Sequence, residues 1–353
     1  MDGPTFDRPR GLQIAPFVAP PGQRRMLLSV VVPCMNEEEG LRQAHQQLVG
    51  VLQEAPVDFE IVYVDDGSSD GTADVLRELQ NSDQRVRAIL LSRNFGHQVA
   101  ITAGIEHAAG DAVVIIDADL QDPPQVILEF LAKWQDGYDV VYGVRTERDG
   151  ESAFKLLSAK IFYRFFSRMS DTRTPLDTGD FRLMDRRVVD ALISMPERDR
   201  FVRGMVSWLG FSQIAVPYHR ASRIAGTTKF SLFKMIRFAL DGIFSFSVLP
   251  LRMATWIGFA ASGFSVIGII VVLLERFFQV PGLVKGWSSA VIGELFIGGV
   301  QLVCLGIIGE YVGRIYGESK RRPLYIVRER MGFEASNPVV AANRKEMVAA
   351  GKR

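Results

Sequence analysis

The chain has 353 residues, enough for one large globular domain with appendages, since single cores stop growing near ~250 to 300 residues. Its 41 basic and 40 acidic residues leave a net charge of +1, which excludes a global field for nucleic acid or an acidic polymer. The two cysteines, Cys34 and Cys304, have no metal-ligand spacing and give no sign of a disulfide framework, which favours a reducing compartment.

Residues 1–25 are rich in Pro and Gly and lack an apolar stretch of ~7 to 15 residues, so they read as a disordered leader rather than a signal peptide. Two short β-branched runs follow, 26–33 (MLLSVVVP) and 59–64 (FEIVYV), and both read as buried parallel strands. Between them Leu41, Leu48, Val51 and Leu52 recur at helical spacing, and Thr72 is a plausible cap for a second helix over 72–80. A strand over 86–91, a helix over 97–109 and a strand over 112–116 continue the alternation. This is the pattern of a doubly wound α/β sheet.

Trp256–Leu274 is 19 residues without a charge, and Trp287–Ile308 is 22 residues with Glu294 as the one ionisable group. Each is near the ~20 residues needed to cross a bilayer, so two transmembrane helices are expected. The loop between them holds Arg276 and Lys285, whereas ten Lys or Arg follow Ile308, so the charge bias places both chain ends and the catalytic domain in the cytoplasm. The expected location is a multi-pass protein of the inner (plasma) membrane. Glu294 lies seven residues into the second run, where a partner in a homo-oligomer or access to the interface would relieve its cost. Residues 154–169 and 229–246 combine Phe, Leu and Ile with Lys and Arg, which suits helices lying on an anionic bilayer. The expected domains are therefore a catalytic unit over 26–228, a juxtamembrane helix over 229–250, two membrane helices over 251–312 and a basic tail over 313–353.

Asp117-Ala118-Asp119 follows directly on the strand AVVII, at the carboxyl end of the sheet where open α/β folds bind ligands. A lone D-x-D is commonly a solvated turn; here the position gives it weight. Two hard oxygen donors suit Mg²⁺ or Mn²⁺, which binds through one or two carboxylates plus substrate phosphates. Asp65-Asp66-Gly67 ends the second strand and Pro33-Cys34-Met35-Asn36-Glu37 ends the first, so both loops face the same crevice. The Asp65 and Asp66 acceptors suit ribose hydroxyls or the imide edge of a base, although a turn with a helix cap has the same composition.

The set Pro33 to Glu37, Val64-Asp65-Asp66-Gly67-Ser68, Asn94-Phe95-Gly96, Asp117 to Pro124, Gly179-Asp180-Phe181-Arg182-Leu183 and Glu310-Tyr311-Val312-Gly313-Arg314 resembles family 2 inverting glycosyltransferases. Within them it is similar to the bacterial polyprenyl-phosphate glycosyltransferases of the bactoprenol glucosyltransferase type, relatives of dolichol-phosphate mannose synthase. The resemblance covers about residues 26–328. It implies a GT-A, Rossmann-like fold in which Pro33, Met35, Glu37, Val64 and Asp66 surround the nucleoside. It also implies that Asp117 and Asp119 manage the diphosphate and metal, with Ala118 between them, and that Gln121 lines the donor pocket. By the same resemblance Arg145, Arg223 and Lys229 contact phosphates, and Asp180 holds the position usually proposed as base. Where the family commonly has an aromatic residue in the first loop, this chain has Met35.

The expected partners are a nucleotide-sugar donor, polyprenyl phosphate and the lipid bilayer, with no nucleic acid. The expected reaction is transfer of a hexose, glucose from UDP-glucose, to the lipid phosphate. The alternatives are the same transfer from GDP-mannose or a UDP-aminoarabinose derivative, and a non-catalytic membrane scaffold or lipid-sugar translocation partner. A phosphate monoester has its second pKa near ~6 and is largely dianionic at neutral pH, so Asp180 has either a base's role or an orienting one.

Overall fold

The computed structural model describes residues 25–119, 121–145, 178–219, 249–278 and 287–333. The chain order in the first half is β1 (Leu27–Cys34), α1 (Leu41–Leu52), β2 (Asp58–Asp65), α2 (Thr72–Ser82), β3 (Val86–Leu91), α3 (His97–His107), β4 (Ala112–Ile115), α4 (Val126–Gln135) and β5 (Val140–Arg145). Then come β6 (Thr178–Asp185), α5 (Arg186–Ser194), α6 (Val202–Trp208), β7 (Gln213–Tyr218), α7 (Leu249–Phe277), α8 (Trp287–Ser319) and β8 (Val327–Met331).

These strands form one mixed sheet in the order β7-β5-β6-β4-β1-β2-β3-β8. The alternating strands and helices read from the sequence make its parallel half, β4-β1-β2-β3. Helices cover both faces there, so β1 and β2 are buried along almost their whole length and need no polar face. The other half is mixed: β6 runs antiparallel to β4 and β5, and β7 is parallel to β5. Helix α3 lies very close to the sheet, because Gly104 leaves its backbone room against β1. A Cβ at Gly104 would stand 2.2 Å from Val31 Cγ1.

The segment expected as a basic tail contributes to the fold instead. Helix α8 runs on to Ser319, and β8 pairs antiparallel with β3. The physical reason is the outer edge of β3, whose backbone groups would otherwise lie unpaired. In β8, Val327, Glu329 and Met331 are half-buried while Arg328 and Arg330 are exposed, the alternation of an edge strand. The globular domain therefore extends beyond 26–228. The expected amphipathic helix over 154–169 lies outside the described residues, as does the juxtamembrane segment up to residue 248; Leu249 already belongs to α7.

Helices α7 and α8 pack on each other. Gly258, Ala261 and Ser262 face Gln301, Val300 and Ile297, and Cys304 Sγ donates to the Ala254 carbonyl, so the two run antiparallel. Among the described residues one helical stretch, Phe296–Ser319, is long and apolar enough to cross a membrane; α7 contains a shorter apolar stretch, Met253–Gly268. Trp256, Phe264, Phe296 and Leu302 are exposed on this pair.

The turn after β2 depends on Gly67. Its φ is +73°, and a Cβ there would stand 2.4 Å from the Arg93 carbonyl carbon. Gly67→Ala is expected to destabilise the protein by roughly 1–3 kcal/mol from the backbone conformation alone. Thermal unfolding of the two proteins under one buffer condition checks this, and an unchanged melting temperature would refute it.

Candidate active site

The carboxyl ends of β1, β2 and β4 and the start of α3 enclose a cleft of about 280 Å³. Two loops build one wall, and side chains bind them to each other. Asn36, with φ of 56°, donates its N–H to Ser68 Oγ at 2.9 Å and accepts from the Ser69 N–H at 2.9 Å. Asparagine tolerates this left-handed conformation. Thr72 Oγ1 accepts from the Glu37 N–H, and Glu38 accepts from the Gly71 N–H. The first loop is therefore fixed on the second before any ligand arrives.

Asp66 is buried and accepts from the N–H groups of Phe95 at 2.7 Å and Gly96 at 2.9 Å. Burial raises its pKa, and these two hydrogen bonds work against the rise. The carboxylate thus holds the Asn94-Phe95-Gly96 turn that opens α3.

Asp117 and Asp119 stand at the end of β4, half-exposed, with Ala118 buried between them. That alternation puts both carboxylates on the cleft. Burial pushes the Asp117 pKa up to about 6; His97 lowers it, and the charges of Asp122, Asp180 and Asp119 raise it further. A cation would relieve this crowding. Among the described residues no group of three or more His, Cys, Asp or Glu side chains is arranged to hold an ion by itself. The two aspartates fit the kind of divalent ion that completes its shell with phosphate oxygens and water.

Asp180, from β6, is buried behind the cleft lining, next to His97. Its Oδ2 accepts from Gln98 Nε2 at 2.9 Å and lies 3.3 Å from His97 Nε2, and its Oδ1 lies 3.3 Å from Arg203 Nε. Burial alone would raise its pKa, but the His97 hydrogen bond and the charges of Arg203 and Arg182 hold it well below the usual carboxylate range. His97 Nε2 is also 3.6 Å from Asp117 Oδ1, so this ring spans the two carboxylates.

The residues expected from the sequence fall into three groups. Pro33, Met35, Glu37, Asp66, Asp117, Ala118 and Asp119 line the cleft together. Val64, Gln121, Arg145 and Asp180 do not line it. Val64 is fully buried under α3, because β2 turns that side toward the core. Gln121 is buried, and its Oε1 has no hydrogen-bond partner among the described residues. Arg145 Nε donates to Tyr218 Oη at 3.3 Å, beside Asp122, to which Tyr218 donates at 2.5 Å. Arg223 and Lys229 lie outside the described residues. Cys34, Asn94, Gly96, His97 and Ala100 complete the lining. Gln98 and Arg203, which grip Asp180, carry no sequence motif that could have selected them.

The mixed α/β sheet, with loops and an acidic cleft at the carboxyl ends of its parallel strands, is a GT-A, Rossmann-like fold. The glycosyl transferase family 2 profile matches residues 29–193. The glycosyltransferase YkcC of Bacillus subtilis is 49% identical, over 88% of this chain and 96% of its own. The bactoprenol glucosyl transferase of Shigella phage SfV is 42% identical, over 86% of this chain and 98% of its own. Among solved structures, glucosyl-3-phosphoglycerate synthase from Mycobacterium tuberculosis is 20% identical over 62% of this chain and 79% of its own, with a TM-score of 0.43. The chain belongs to glycosyl transferase family 2, and it is an enzyme of that class.

Because Asp66 holds two backbone N–H groups, Asp66→Asn would present an N–H to one of them. Amide exchange at Phe95 and Gly96 is expected to quicken by about tenfold or more, the effect of losing one charged hydrogen bond. Hydrogen-exchange mass spectrometry of that peptide checks this, and unchanged protection would refute the role.

Proposed function

We propose that the enzyme transfers glucose from UDP-glucose, with inversion, to the phosphate of a polyprenyl phosphate at the cytoplasmic face of a membrane, with the help of a divalent metal. The observation that carries this reading is the likeness to a bactoprenol glucosyl transferase over 304 residues, a stretch longer than everything that precedes α7. The likeness therefore includes both the cleft and part of the helical module, and a lipid-linked acceptor needs both. On this reading α7 and α8 form a hairpin through the inner membrane, and the exposed apolar side chains of the pair face lipid.

In the reaction an oxygen of the lipid phosphate attacks C1 of the sugar. The bond from C1 to the diphosphate oxygen breaks, its electron pair leaves with the nucleoside diphosphate, and the anomeric configuration inverts. Asp117 and Asp119 would hold Mg²⁺ or Mn²⁺, which when bound supplies positive charge to the leaving diphosphate. Met35 and Glu37, on the loop after β1, and Asp66, at the end of β2, surround the nucleoside. Gln121, whose buried Oε1 has no hydrogen-bond partner among the described residues, stands two residues from Asp119 on the donor side, and Arg145, Arg223 and Lys229 serve the phosphates.

Purified protein with labelled UDP-glucose, undecaprenyl phosphate and Mn²⁺ is expected to yield an organic-phase product, and a chelator is expected to stop it. Asp119→Ala should lower the rate by about a hundredfold or more, the scale of one lost electrostatic contact in a transition state. A product from GDP-mannose or an aminoarabinose donor instead would correct the sugar. No lipid product from any of these donors would refute the reaction.

A further inference from the structure

The carboxyl ends of β4, β5 and β7 share one edge of the sheet, because β5 runs antiparallel to β6 as β4 does, and β7 is parallel to β5. Arg145, the last residue of β5, therefore emerges on the same edge as Asp117, and Tyr218, the last of β7, is its register partner. The loop after β4 passes β6 and β5 at this edge and brings Asp122 to Tyr218. Asp122 and Tyr218 are buried there, whereas the Arg145 side chain is 24% exposed and is the member of the three with an outlet.

An arginine only donates hydrogen bonds. Tyr218 Oη must then accept from Arg145 Nε, and it gives its own proton to Asp122 Oδ1, so the chain from Arg145 through Tyr218 to Asp122 has one direction. Arg145 Nη2 lies 3.8 Å from Asp122 Oδ1, and among the described residues no hydrogen bond or ion pair reaches Nη1. Two glycines make the space for this chain. A Cβ at Gly143 would stand 2.6 Å from Tyr218 Cε1, and one at Gly179 would stand 3.1 Å from Arg145 Nη2. Phe181 packs edge-on against the tyrosine ring, 5.6 Å between centroids. Burial works against the Arg145 charge, while Tyr218, Asp122 and Asp117 favour it. Buried ionic clusters add little net stability, so stability alone is a poor account of this one.

We propose that Tyr218 and Asp122 are positioning residues of the donor site: they hold the Arg145 guanidinium by its Nε edge and so present its Nη1 end to the diphosphate of the nucleotide sugar. The inference rests on the proposed binding of a nucleotide sugar beside Asp117 and Asp119, and not on the identity of the acceptor. A planar guanidinium meets two phosphate oxygens at once only when its plane is set, and a long side chain at a strand end does not set it unaided. The tyrosine hydroxyl supplies that constraint, and the carboxylate behind it fixes the hydroxyl.

The test is calorimetric binding of UDP and of uridine to the full chain in detergent with Mn²⁺, with GDP and guanosine run alongside, so it needs no lipid product. Tyr218→Phe keeps the ring on Phe181 and over Gly143 and removes the hydroxyl alone. It is expected to raise the Kd of the diphosphate by about tenfold, the weight of one charged hydrogen bond, and to leave that of the nucleoside within twofold. In an Arg145→Ala background the same change should add nothing, because both act through one contact. Tyr218→Phe takes a donor from the buried Asp122, so the double variant Tyr218→Phe, Asp122→Asn is measured beside it and decides the matter if the single one does not fold. A diphosphate Kd within twofold of wild type overturns the proposal. So does an equal loss for diphosphate and nucleoside, the mark of a merely structural pair, or a further tenfold loss on top of Arg145→Ala. A wild type that binds UDP but makes no lipid-linked glucose defeats the proposed reaction and leaves this inference standing, whereas one that binds neither UDP nor GDP defeats both.

Discussion

Carboxylates crowd the carboxyl edge of this sheet: Asp66, Asp117, Asp119, Asp122 and Asp180 all come to it or beside it. At an effective dielectric near ~20, two unit charges ~6 Å apart repel by on the order of 3 kcal/mol, so such a group persists only where each member is compensated. The chain compensates them unequally. Asp66 takes two backbone N–H groups, Asp122 takes the Tyr218 hydroxyl, and Asp180 takes Gln98, His97 and Arg203. Asp117 keeps a pKa near 6, the sign that repulsion and burial outweigh its His97 contact. Asp119 accepts from the Gln121 N–H at 3.1 Å, so Asp117, at the end of β4, is where positive charge would be most welcome.

Much of this was legible in the sequence because it is local. The apolar runs of β1 and β2 end at Pro33 and Asp65, and a strand's end fixes where its loop emerges; the D-x-D spacing puts two side chains on one side. What could not be read is what depends on distant pairing. Gln98 and Arg203 meet at Asp180 from positions 82 and 23 residues away, with no periodicity or motif between them. The edge strand β8 was hidden for a similar reason. Its Arg, Glu and Arg look like a solvated tail, and only the open edge of β3 makes them a strand. Val64 shows the opposite error: adjacent to Asp65 in a functional-looking motif, it points into the core, because successive strand residues face opposite sides.

The helical pair and the site are connected by more than chain continuity. Arg314 of α8 reaches Asp199 at 3.0 Å, and Glu318 accepts from the Arg198 N–H at 2.8 Å. Exposed ion pairs of this kind contribute little, typically ~0–1 kcal/mol each, so they cannot by themselves fix α8 on the domain. The firmer link follows a few residues later. Tyr325 donates to Glu106 at 2.5 Å, β8 adds itself to the sheet, and Phe333 packs edge-on against His107. All three landings are on β3 or on the carboxyl end of α3.

That choice of landing matters for the acceptor. The opposite end of α3 carries His97 and Gln98, and the loop touched by Arg314 and Glu318 leads directly into α6, which carries Arg203. The apolar helix is therefore tied to the two elements that hold Asp180, not to those that hold the aspartate pair of β4. On the proposed reading a polyprenyl phosphate cannot rise far from the bilayer, so the enzyme must set the acceptor wall of its cleft at a fixed height above it. On that reading, tying α3 and α6 to the end of α8 would do this for the wall that holds Asp180, and the wall built on β1, β2 and β4 would be left to bind a soluble nucleotide sugar that can diffuse to any height.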